Sequence, residues 1–101
     1  MQLTKEEYNF LLEWIQCNFI PRKTTNRDIC AYTIHGIFER IYDKGFYVDE
    51  TTVAKALIEC GYIPLYQDGQ IYFNISNKSR AVQIYYASLG DPSKARSFQW
   101  L

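Results

Sequence analysis

A chain of 101 residues is the size of one domain, and its 48% apolar and 17% aromatic content supplies enough burial to offset the entropy of ordering it. Eleven basic and eleven acidic side chains cancel, so attraction to nucleic acid would have to come from a local excess of charge. No apolar run approaches the ~20 residues needed to span a bilayer, and no charged segment leads into an apolar one at the amino terminus, so a soluble cytoplasmic protein is expected.

The charge is unevenly placed. Lys5 against Glu6, Glu7 and Glu13 leaves residues 1–21 at −2, while Arg22, Lys23 and Arg27 give the following loop +3. Residues 28–75 carry −4 and the remainder of the chain +3. The three cysteines, Cys17, Cys30 and Cys60, lie far apart on or beside predicted apolar stripes and read as buried free thiols. With His35 as the single imidazole and no Cys-x-x-Cys, neither a metal nor a cofactor is expected.

Thr4-Lys5-Glu6-Glu7 has the form of a capping box, so a first helix starts near Lys5. Tyr8, Leu11, Leu12, Ile15 and Phe19 follow at helical spacing, and Phe10, Trp14 and Cys17 widen the apolar surface. That width predicts a helix buried on most sides, or a partner or homodimer face containing Trp14. Pro21 stops the helix. Residues 22–27 read as a polar basic loop, with Asn26 or Asp28 capping a second helix. In it Cys30, Ile34, Ile37, Phe38 and Ile41 form the core stripe, and His35 and Glu39 pair across one turn on the outside. Gly36, unfavourable inside a helix, predicts a close approach by another element.

Phe46-Tyr47-Val48 reads as a short strand, and Asp49 caps a third helix with Val53, Ala56, Leu57 and Cys60 inward and Gly61 as its left-handed stop. Asp68-Gly69 predicts a type I′ hairpin in which Gln67 faces Gln70, Tyr66 faces Ile71 and Pro64 faces Phe73. Its core face is Tyr62, Pro64, Tyr66, Ile71, Phe73 and Ile75; the other face, with Ile63, Leu65, Tyr72 and Asn74, calls for a cover. Ser76 caps a fourth helix that ends at Gly90-Asp91-Pro92. The predicted fold is α+β: four helices with a small antiparallel sheet, in the winged-helix-like order α-α-β-α-β-β-α. One domain spans 1–92, and a tail, 93–101, follows.

The central stretch resembles small proteins encoded by phages and mobile elements of Gram-positive bacteria. The resemblance is carried by Tyr32-Thr33-Ile34-His35-Gly36, Gly45-Phe46-Tyr47-Val48, Ala54 and Ala56 before Gly61-Tyr62, and Tyr72-Phe73-Asn74-Ile75. His35-Gly36 stands where those proteins carry a Lys-His pair. The resemblance implies a phage accessory protein acting in the host bacterial cell, a class that includes transcription regulators and inhibitors of host defence such as anti-CRISPR proteins.

Nothing in the sequence gathers a catalytic constellation, so no enzyme is expected. Neutral charge and aromatic excess favour a module that binds a host protein or nucleoprotein complex, with Trp14, Glu50, Glu59, Phe98 and Trp100 as candidate contacts. The alternative is a winged-helix DNA-binding regulator, in which Thr51, Thr52 and Lys55 enter the major groove beside Gln67 and Gln70. Phosphate contacts would then fall to Arg22, Lys23, Arg27, Lys78 and Arg80, because the acids Asp49, Glu50 and Glu59 outnumber Lys55 on the presumed recognition helix.

Overall fold

The structure, a computed structural model, describes residues 3–41 and 46–90. Seven elements follow in order: α1 (Lys5–Asn18), β1 (Pro21–Cys30), α2 (Ala31–Ile41), α3 (Glu50–Glu59), β2 (Pro64–Gln67), β3 (Gln70–Ile75) and α4 (Arg80–Gly90). The α+β class and winged-helix-like arrangement are those read from the sequence, but the third strand comes from a different segment. The tail at 93–101 lies outside the described residues.

Local chemistry sets most boundaries. At α1, Glu7 N–H donates to Thr4 Oγ1 at 3.1 Å and Thr4 N–H donates to Glu7 Oε1 at 2.9 Å, closing the capping box. Asp49 caps α3 by accepting from Thr52 N–H at 2.7 Å, and Gly61, at φ 95°, ends it in a conformation that a side chain would disfavour. The hairpin turn has φ 52° at Asp68 and 76° at Gly69, the pair of positive angles a type I′ turn requires. Pro64↔Phe73, Tyr66↔Ile71 and Gln67↔Gln70 are the observed pairs.

The core lies where α1, α2 and α3 meet and extends to β3 and α4. Trp14 is its largest member, 1% exposed, with its ring edge-on to Phe19 at 5.3 Å and to Phe38 at 4.9 Å. Phe46 packs against Phe38 at 5.4 Å and edge-on to Phe10 at 6.0 Å. Such pairings add about 0.5–1.5 kcal/mol each beyond the area buried.

The sheet order is β1-β3-β2, all antiparallel. Residues 22–27, expected as a loop, are therefore strand, whereas 46–49 form neither strand nor helix. β1 is heavily bulged, with Pro21 opposite Ile75, Asn26 opposite Phe73 and Cys30 opposite Tyr72. Its displaced backbone is satisfied by side chains. Arg22 donates to the carbonyls of Thr24 and Thr25, and Asn74 Nδ2 donates to that of Arg22. Asn26, 1% exposed, donates to Ile75 O at 2.8 Å and Asn77 Oδ1 at 2.7 Å while accepting from Asp28 N–H. Asn26 thus serves the sheet rather than the next helix.

Further expectations are corrected by burial. Cys17 is exposed, and Cys30 and Cys60 are only partly covered; all three are free thiols. Tyr66 is 67% exposed, whereas Ile71 packs half-buried against the edge of the core, because the hairpin is fully covered only at its base, Phe73 to Ile75. Ile63, on the other face, stays 64% exposed. α4 begins at Arg80, four residues later than Ser76, which instead accepts from Lys78 N–H in the preceding turn. Ser79, fully buried, accepts from Ile20 N–H at 2.8 Å and ties the start of β1 to α4. No described helix is long and apolar enough to cross a membrane.

Candidate functional site

α3 and the hairpin stand side by side, and between them runs a groove of about 580 Å³. Thr51, Lys55, Ile58 and Glu59 line it from α3, with Tyr66 and Ile71 opposite. Ile58 is off the buried stripe of α3 and 43% exposed. Its neighbours across the groove, Tyr66 and Ile71, make an apolar floor. The edges are polar: Glu59 at the end of α3, and Lys55, whose ammonium sits 5.3 Å over the Tyr8 ring. Burial, and after it the nearby Glu59 carboxylate, pushes the Tyr8 hydroxyl up to about 12.

Sequence reasoning missed the floor of this groove. Tyr66 and Ile71 alternate with Phe73, which predicts both inward; Ile71 does pack against the core and Tyr66 does not, because alternation gives a face but not how far along the strand that face stays covered. The available signal was Ile58, an apolar residue outside the helix's own stripe.

The sequence-derived candidates divide. Trp14 is in the core and unavailable to a partner or to a homodimer face. Glu59 is exposed and on the groove, and Glu50 is partly buried in the first turn of α3. Phe98 and Trp100 lie outside the described residues. Of the nucleic-acid set, Thr51 and Lys55 face the groove, while Thr52 is partly buried at the cap. Arg27 reaches from β1 to donate to Gln67 beside the hairpin turn. Gln70 is half-buried, and its carboxamide oxygen has no hydrogen-bond partner among the described residues. Arg22 is committed to its own strand's carbonyls, Lys23 and Lys78 are exposed, and Arg80 is partly buried at the start of α4.

His35 lies near Glu39, Nδ1 to Oε2 at 3.5 Å, but its side chain is only 13% exposed rather than on the outside as expected, and its Nδ1–H donates to Val48 O at 2.7 Å. That bond fixes the tautomer and pins the 46–49 segment against α2. Among the described residues no group of three His, Cys, Asp or Glu is placed to hold a metal ion.

Comparison with family models, curated proteins and solved structures gives no match. The fold and surface define a class: a three-stranded α+β module of winged-helix-like order with an apolar groove beside its third helix.

Proposed function

We propose that this chain is a small non-enzymatic phage accessory protein that binds a protein or nucleoprotein partner, in the manner of host-defence inhibitors such as anti-CRISPR proteins. It acts in the cytoplasm of the host bacterial cell. The observation that carries the reading is the groove between α3 and the hairpin. In a DNA-binding winged helix this surface meets phosphates and base edges; here it offers Ile58, Tyr66 and Ile71 with Glu59 at its margin. Apolar area with a polar rim is the pattern of a protein interface, in which exposed aromatic side chains carry much of the energy. The acidic margin suits a partner whose own surface is basic, such as a nucleic-acid groove. Charge reversal by Glu59→Lys is expected to weaken that complex, and unchanged affinity would remove the acidic component.

One observation favours a DNA-binding regulator instead: Arg27 and Gln67 stand together at the hairpin tip, with exposed Thr51 and Lys55 on α3. Fluorescence anisotropy of a labelled mixed-sequence duplex at ~50 mM and ~200 mM salt separates the readings. The protein-partner reading expects no binding at either salt. Binding that falls steeply with salt would replace it with the regulator.

A further inference from the structure

A second cleft, sharing no described lining residue with the groove, opens over the outer side of α2. Tyr32, Thr33, His35, Gly36 and Glu39 line it from α2 and Tyr85 from α4, enclosing about 520 Å³. Gly36 is the informative residue. A glycine inside a helix is disfavoured relative to alanine, so its presence needs a reason. Its φ is not positive, and a Cβ built on it would meet nothing within 4 Å among the described residues, so neither backbone conformation nor packing against them requires it. What its missing side chain leaves is space, on the floor of the cleft between Tyr32 and Glu39.

The walls are aromatic and anionic. Tyr32 is 61% exposed, and its ring lies tilted against His35 at 5.5 Å. His35 is itself held by its bond to Val48 O and by the edge of Tyr47 at 5.6 Å, so Tyr32 leans on a fixed neighbour. The Glu39 side chain is half exposed beyond Gly36, with Oε2 3.5 Å from His35 Nδ1. A tyrosine face and a carboxylate across an open floor suit a flat cation. A guanidinium can stack on the ring and present parallel N–H donors to the carboxylate, which the compact ammonium of lysine does less well.

We propose that this cleft seats an arginine side chain of a protein partner, its guanidinium lying over Gly36 against Tyr32 and paired with Glu39. The proposal rests on the protein-partner reading only for the source of the arginine, since the α3–hairpin groove takes no part in the cleft.

The test is a titration of the full ¹⁵N-labelled chain with N-acetyl-arginine amide, following backbone amides by NMR. Saturable shifts at Tyr32, Gly36 and Glu39 are expected, with no response to the uncharged N-acetyl-citrulline amide. Glu39→Gln should weaken binding about tenfold, the loss of one charge-assisted pair. Gly36→Leu should abolish it with the fold intact, judged by amide dispersion and an unlowered melting temperature; if the larger side chain perturbs the helix, Gly36→Ala should still weaken it. Absence of saturable shifts, an equal response to citrulline, or full binding by both Gly36 variants would overturn the proposal. Free arginine binding more tightly than the blocked form would overturn the protein source. None of these outcomes bears on Ile58 or Tyr66, so failure here and failure of the groove are distinguishable.

Discussion

At the scale of the residue, short-range polar chemistry was the most legible part of this chain. Thr4, Asp49 and Gly61 each do what their types and spacing imply, because caps depend only on neighbours within one turn. Asp49→Ala is expected to cost about 1 kcal/mol at neutral pH, measured by chemical denaturation. The Asp49 carboxyl is held below its ordinary value of 3.8, first by the Thr52 side chain and then by the Thr52 N–H. Because the folded-state value is the lower one, the ionised cap's contribution is present above 3.8 and lost as pH falls through the folded value. The gap between wild type and variant should therefore narrow in strong acid. Asn26 was legible as polar but not as buried, since its partners, Ile75 and Asn77, lie in the opposite half of the chain. Asn26→Leu strands the Ile75 carbonyl and the Asp28 N–H, and should cost about 1–3 kcal/mol.

Among the elements, helices and hairpin followed from periodicity and turn chemistry, while β1 did not. Arg22, Lys23, Thr24 and Thr25 show neither apolar alternation nor a continuous apolar run, the two patterns by which strands are recognised. This strand exists because Arg22, Asn26 and Asn74 satisfy the backbone its bulges displace, a long-range arrangement invisible to a local window. The β-branched pair Thr24-Thr25 was the only local hint. Phe46-Tyr47-Val48 had strand composition, yet Val48 O is taken by His35 and Phe46 by the aromatic core. Tertiary contacts there overrode propensity. The end of α3 makes a direct test of element-scale reasoning: Gly61→Ala, at φ 95°, should lower stability by about 1 kcal/mol, whereas the same change within a regular helix raises it. A melting temperature unchanged by Gly61→Ala would contradict the assigned cap.

Over the whole molecule, the sequence conveyed class and charge better than surface. Trp14 illustrates why: the width of the apolar face on α1 was evident, but whether it met Phe38 or a partner depended on how three helices close. Closure puts Trp14 inside and leaves Ile58, Tyr66 and Ile71 along a groove, so the partner-binding residues proposed here came from the packing rather than the pattern. The most direct measurement of that proposal is quantitative affinity capture from lysate of a Gram-positive bacterium, with and without nuclease treatment, comparing wild type with Ile58→Gln and Tyr66→Thr. Both substitutions are at exposed positions and suit their helix and strand, so the fold should persist. A protein retained by wild type and by Lys23→Ala, with and without nuclease, and lost from both groove variants is the expected result. Retention unaffected by the groove variants, or abolished by nuclease and by Lys23→Ala, would contradict it.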